Sequence, residues 1–256
     1  MRVGVGLPSG IAGAHSQLIL DWSRRADEGP FSSLGVIDRL AYDSFEPLTT
    51  LAAVAAVTQR VKLATTIVIG PLRNDALLAK AAATVDALSQ GRLVLGLAIG
   101  ARHEDYEVAG IDYRSRGKRL TEQLIALRSL WEDSTIGPKT ARQRGPDLLI
   151  GGLSDRGYAR MARYADGYVH GGGPPRAFAR SNNTLTWKAR STPTNWSVSL
   201  SSRSSSGQPP KVRPILRPSN VISVSNRYNS PFNCSRAAGA LPMMICASAT
   251  CALAKR

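Results

Sequence analysis

Acidic residues are missing from the last 90 positions. All eighteen Asp and Glu lie between Asp21 and Asp166, whereas twelve of the 33 Lys and Arg fall after that point. The net charge of +15 therefore belongs mostly to the tail. Residues 1–166 carry 21 basic against 18 acidic groups, a surplus of only +3. This excludes a basic surface on the folded body, of the kind that grips nucleic acid, as the source of the charge. Cysteine is equally scarce: Cys234, Cys246 and Cys251 are the only three. Their odd number, without a CxxC pair or a His partner pattern, argues against a disulfide framework or a zinc site, and no metal is expected. No run of ~20 strongly apolar residues occurs. The nearest stretch, 237–254, is mostly Ala, Ser, Thr and Cys and contains Pro242, so no membrane span is expected. The opening residues lack a basic segment followed by an apolar one, so no secretory leader is expected either. The default is a soluble, cytoplasmic chain.

What is present is an alternation of short Val/Ile/Leu-rich runs with helical patterns. Strands are expected at 3–7, 34–38, 61–69, 93–99, 147–150 and 167–170. Helices are expected at 16–29, 48–58, 75–89, 115–131 and 154–165. The helix at 115–131 is the clearest, with Leu120, Leu124, Leu127 and Trp131 recurring on one face. The strands are nearly continuously apolar, which implies a parallel sheet covered on both faces, hence an α/β fold. Periodicity alone leaves an open doubly wound sheet and a barrel both standing. An NAD-binding reading of the first turn, GVGLPSG, lacks the helix that a GxGxxG fingerprint requires directly after it.

Several motifs occur in a fixed order. They are Pro71-Leu72-Arg73 after a β-branched strand, Leu88-Ser89 followed by Gly91-Arg92-Leu93, Leu95-Gly96 with Gly100, and Glu107 with Gly110. Then come the run RGKRLTEQ at 116–123, Leu130-Trp131, Ile150-Gly151-Gly152 and ADGY at 165–168. In this order they resemble the luciferase-like monooxygenases, the luciferase-like flavin or coenzyme F420 oxidoreductases, over about residues 1–180. The resemblance implies a TIM-type (β/α)8 barrel with its active site at the C-terminal ends of the strands. It also implies reduced FMN or F420 as cofactor and a small organic molecule as substrate. FMN members use oxygen to oxygenate the substrate, and F420 members move a hydride. In both, the cofactor does the hard chemistry while the protein supplies position and electrostatics.

The resemblance brings particular residues forward. Gly151, Gly152 and Ser154 form a strand-to-helix turn where the family meets the flavin phosphate; by themselves they read as a glycine turn with a Ser cap. Gly100 closes a strand near the same phosphate, although Ile99 stands where bacterial luciferases carry Arg. Thr66, within 65–67, falls where family members often hold a non-prolyl cis peptide under the flavin; alone it reads as plain β-branched core. Arg39 replaces a family His after Asp38. Always protonated, it cannot be a general base, but it could bind an anionic substrate or the reduced flavin. The plainer alternative is a salt bridge to Asp38 or Asp43. His170 ends a strand and is a candidate proton donor.

From position 181 the pattern changes. Ser supplies fifteen of the last 76 residues, and Leu, Ile, Val and Phe together only thirteen, below the level that builds a core. Two domains are therefore expected: a partial barrel of about six β/α units at 1–180, and a basic, irregular tail at 181–256. The tail has two readings. Either the reading frame changes near Arg180, or the tail is a natural disordered segment on an inactive relic, binding nucleic acid or acidic surfaces. Sparse aromatics argue against nucleic acid. A barrel short of two strands would leave two unpaired edges, hence low stability and weak flavin turnover. A homodimer is permitted by the sequence but not indicated by it.

Overall fold

A computed structural model describes residues 2–11, 13–171, 221–225 and 243–246, the last two segments as backbone. Strand β1 (Val3–Gly6) leads to helix α1 (Ser16–Glu28), β2 (Ser33–Val36) to α2 (Pro47–Val57), and β3 (Lys62–Thr65) with its short continuation β4 (Val68–Ile69) to α3 (Asp75–Leu88). Then follow β5 (Leu93–Ala98), α4 (His103–Val108), α5 (Arg116–Glu132), β6 (Asp147–Gly151), α6 (Asp155–Tyr164) and β7 (Gly167–His170). The six expected strands and five expected helices are all present. Only the third strand is interrupted, and α4 is an unexpected addition.

All pairings are parallel. β1 lies beside β2, β2 beside β3, and β3 and β4 both lie beside β5, which continues to β6 and β7. Two more strands, β8 (Val221–Ser225) and β9 (Met243–Cys246), stand between β7 and β1 and carry the pairing round in a ring. This corrects the expectation that the tail adds nothing to the sheet and leaves two open edges. The run Val221, Ile222, Val224 has the β-branched composition a strand favours. The other expectations for 181–256 lie outside the described residues. Among the described residues, no helix is long and apolar enough to cross a membrane.

The strands use their two faces differently. Leu34, Leu63, Leu93, Leu95, Leu97, Leu148, Ile150 and Tyr168 point outward and join the helices' buried faces in one large core. Ala64, Val94, Leu149 and Val169 form a second, small cluster on the other face, inside the ring. Helix ends follow local chemistry. Asn74 caps α3 by accepting from the Leu77 N–H at 3.1 Å, and Pro47 opens α2 with its fixed φ. At the opposite end of the barrel from the strand C-termini, Asp86 on α3 is almost fully buried. Its Oδ2 accepts from the Ala141 N–H at 2.8 Å, while Oδ1 has no hydrogen-bond partner among the described residues.

Burial pushes the Asp86 carboxyl pKa up, although the Ala141 N–H, Arg142 and Lys62 pull it down. A folded value raised above the unfolded one gives stability that is complete below the ordinary carboxylate range and is lost as pH rises through the raised value. Asn at this position keeps an acceptor for Ala141 and carries no charge. Asp86→Asn should therefore be more stable than the parent in urea at pH 7, with the advantage fading as pH falls through the raised value and gone by the ordinary carboxylate value of ~4. Equal midpoints at pH 7 would contradict this account.

Candidate active site at the barrel mouth

The site is built around an interruption in the third strand. Ala64 lies opposite Val94, but Val68 lies opposite Leu97, so strand three has one residue more than its neighbour over this stretch. That is a bulge, which breaks the ladder and re-aims the side chains beside it. The Thr65 hydroxyl takes over the lost pairing: it accepts from the Gly96 N–H at 2.8 Å and donates to the Gly96 carbonyl at 2.8 Å. The Thr66–Ile67 peptide is cis, which corrects the plain-strand reading of 65–67. Thr66 N–H donates to the Val36 carbonyl at 2.7 Å, and Thr66 and Ile67 are only half-buried.

Small residues surround this bulge. A Cβ on Gly96 would collide with the Thr65 carbonyl oxygen and meet Ile67 Cγ2 at 3.3 Å. A Cβ on Gly151 would meet Ala98 Cβ at 3.2 Å and Ile67 Cγ2 at 3.5 Å. Strand alternation puts Gly96 and Ala98 on the face of Val94, and Gly151 on the face of Leu149. On β5 and β6 the inward side chains thus run from Val94 and Leu149 to Gly96, Ala98 and Gly151 toward the C-terminal ends.

The expected turn residues lie at the same end. Gly100, at φ +66°, has Ile69 beneath it, and Gly152 has φ +145°. Ser154 is the N-cap of α6, its Oγ accepting from the Gly157 N–H at 3.1 Å. The Tyr168 hydroxyl donates to the Gly152 carbonyl at 2.7 Å and fixes the turn. Thr66, Gly100, Gly151, Gly152 and Ser154 therefore share one end of the barrel. His170 is buried at the end of β7, but it alternates with Val169 and so shares the outward face of Tyr168, whose ring lies 6.2 Å away. It is not brought to the lumen.

The rim loop between β2 and α2 is held by two charge clusters. Arg39 Nε donates to Asp105 Oδ2 at 2.8 Å and Nη2 to Glu104 Oε1 at 3.1 Å, so its partners are neither Asp38 nor Asp43. Asp105, whose side chain is 1% exposed, also accepts from the Leu40 and Ala41 N–H groups at 2.9 and 2.8 Å. Asp38 accepts from the Ile69 N–H at 2.8 Å and from Arg73 at 2.6 and 3.2 Å, and Arg73 reaches Glu46 at 3.0 Å. For Glu46 burial favours the neutral acid, but the Thr49 N–H at the start of α2 and Arg73 outweigh it and hold the pKa below its usual value. For Arg73 burial is outweighed by Asp38 and Glu46, which raise its pKa. Tyr106, next to Asp105, donates to the Ile99 carbonyl, and burial pushes its pKa up to about 12.

Asp105 is not marked out by the sequence, and Gly96 only as part of the Leu95-Gly96 motif. The acidic pair Glu104-Asp105 at the start of a helical turn was the available signal for α4. A groove of about 430 Å³ runs past Arg73, Asp75, Arg119 and Leu130 in the outer helix layer, outside the lumen. Removing Asp105 would leave the Arg39 guanidinium without its buried partner and free two loop N–H groups. Breaking such a pair costs about 3 kcal/mol. Asp105→Ala should lower Tm by roughly 10 °C in circular dichroism melts, and Arg39→Gln by less. A change within the error of the melt for Asp105→Ala would refute the role assigned to this carboxylate.

Known proteins agree with this architecture. A pyrimidine monooxygenase, RutA of Escherichia coli, is 34% identical over 161 residues, covering 53% of this chain and 43% of its own. The oxygenating constituent of 3,6-diketocamphane monooxygenase from Pseudomonas putida, solved with FMN, superposes with a TM-score of 0.66 at 16% identity, over 88% of this chain and 66% of that one. An F420-dependent secondary alcohol dehydrogenase, solved with an F420–acetone adduct, gives a TM-score of 0.63 at 20% identity, over 74% and 64%. At these identities the two structures speak for the fold. The chain spans between 43% and 65% of the length of curated relatives it matches. The family model for luciferase-like monooxygenases matches residues 1–203, and the chain belongs to that family.

Proposed function

We propose that the chain is an oxidoreductase of the monooxygenase type that binds reduced FMN or F420 at the barrel mouth and acts on a small organic substrate. The observation that carries this reading is the small-residue lining at Gly96, Ala98 and Gly151 around the Thr66–Ile67 bulge. Bulky side chains at these positions would fill the lumen, as they do in barrels whose interior is only core. The residues present fit a flat ring laid over the bulge with a phosphate at the turn beyond it. Thr66 would lie under the ring. Gly100, Gly151, Gly152 and the Ser154 hydroxyl, at the N-terminus of α6, would hold the phosphate. When bound, the cofactor supplies the hydride or, with oxygen, the oxygenating equivalent.

The chain's own residues orient and shield in this reading. The Tyr168–Gly152 bond keeps the turn in place, and the outer core excludes water from the strands' far face. Arg39 serves as a strut for the rim loop, because its charge is already met by Asp105 and Glu104. His170 supports the wall between β7 and α6 and moves no proton to the substrate.

Anaerobic titration of the purified chain with reduced FMN and with reduced F420, followed by absorbance and fluorescence, tests the reading. Saturable binding of one of them is expected. Gly151→Val, which sends methyl groups toward Ala98 and Ile67, should weaken that binding at least a hundredfold, on the order of 2.7 kcal/mol, while the chain stays folded by circular dichroism. A folded parent chain that binds neither cofactor would defeat the proposal.

A further inference from the structure

The two rim loops that follow β1 and β2 expose large apolar side chains at the C-terminal end of the barrel. Ile11, Ile37, Leu40, Tyr42 and Phe45 are between 36% and 56% exposed. The loops are joined: Phe45 N–H donates to the Ser9 carbonyl at 3.0 Å, and a methyl on Gly10 would meet Ile37 Cδ1 at 3.1 Å. An exposed group of this kind in a soluble fold marks a surface that something apolar covers.

The charges of the same rim are spent on one another. Arg39 is met by Asp105 and Glu104, and Asp38 and Glu46 by Arg73. Arg102 lies 3.7 Å from Glu104. Of the charged residues in 37–46, Asp43 alone makes no ion pair among the described residues, and it is exposed. Counting Asp38, Arg39, Asp43, Glu46, Arg73, Arg102, Glu104 and Asp105, five carboxylates face three guanidinium groups. Among these described residues every guanidinium is met by a carboxylate and the surplus charge is negative, which disfavours an anionic substrate against this wall.

We infer that the substrate is a neutral, largely apolar molecule seated against the wall formed by Ile37, Leu40, Tyr42 and Phe45, and that these residues set specificity. This rests on the function proposed above, since it names the substrate class of that same mouth. It also reassigns Arg39, which the sequence offered as an anion-binding group. The rim clusters hold the loop so that the apolar groups face the mouth without an unpaired charge among them. An uncompensated charge in such a wall would bring a heavy desolvation cost when the substrate arrives.

Binding of the neutral dye N-phenyl-1-naphthylamine, followed by fluorescence in the absence of any cofactor, tests the inference apart from turnover. The dye should bind saturably. 1-Naphthoate and 1-naphthylmethylammonium should displace it at least tenfold less well than neutral 1-methylnaphthalene. The Leu40→Ser/Phe45→Ser double variant and the milder Tyr42→Ser should each weaken dye binding, the double at least tenfold. Leu88→Ser, which alters an exposed leucine at the C-terminal end of α3, the end of the barrel opposite the mouth, should leave it unchanged. Preferential displacement by either charged naphthalene, or equal dye affinity in parent and double variant, overturns the inference. So does an equal loss in Leu88→Ser. Flavin or F420 binding measured on the same preparations keeps the two readings separate: cofactor binding without selective dye binding sinks only the apolar wall. Dye binding without cofactor binding sinks the proposed function instead.

Discussion

The Thr65 hydroxyl bridges both backbone groups of Gly96, and the shape of the lumen depends on that bridge. Without it, the extra residue in strand three would leave a buried N–H and a buried carbonyl without partners, a cost of about 1–3 kcal/mol for each group. With it, the chain passes through the cis Thr66–Ile67 peptide while β4 regains its pairing with β5 at Val68. Gly96 is then obligatory, because the Thr65 carbonyl occupies the place of a Cβ. The bulge and the glycine are thus one device: the first turns Ile67 toward the ring's interior, and the second makes the space that Ile67 borders.

The rim solves a different problem. Loops that border a binding site expose backbone groups and need holding without a packed core beneath them. Here buried carboxylates do the holding. Asp105 gathers Arg39 and two loop N–H groups, and Asp38 gathers Arg73 and the Ile69 N–H. Each carboxylate accepts several charge-assisted hydrogen bonds, which offsets its desolvation. Glu46 joins this system to the start of α2, where the helix's free N–H groups further favour its ionised form. The rim is therefore rigid in its charges and open in its apolar groups.

Most of the scaffold was legible from residue order. Six strands and five helices were read from apolar runs and helical spacing, because those patterns are local. Ser154 was recognised as a cap for the same reason. The site was less legible because its contacts are not local. Arg39 finds Asp105 across 66 positions, whereas a sequence reading looks first to Asp38 and Asp43 nearby. His170 seemed to sit on the functional rim because it ends a strand, but whether a strand residue faces the lumen or the helices depends on register, which one residue reverses. The cis peptide leaves no mark in composition. β8 and β9 were overlooked because a Ser-rich, acid-free segment hides two short runs that carry no helical neighbour pattern.

The near-continuous apolar character of the strands reflects burial on both faces, and within it lies a second pattern, in residue size. In β5 the outward positions are Leu93, Leu95 and Leu97, while the inward ones run Val94, Gly96, Ala98. In β6 the outward pair is Leu148 and Ile150, and the inward pair Leu149 then Gly151. Inward side chains thus shrink toward the strands' C-terminal ends in both. A barrel interior that is only core keeps branched residues through its layers, since any cavity large enough for a methyl group costs about 1 kcal/mol. On these two strands the taper from Val and Leu to Ala and Gly gives up that packing at the mouth end. It does so where the turns, the bulge and the apolar rim converge, so size alternation within an unbroken apolar strand tells a filled barrel from one built to hold a ligand.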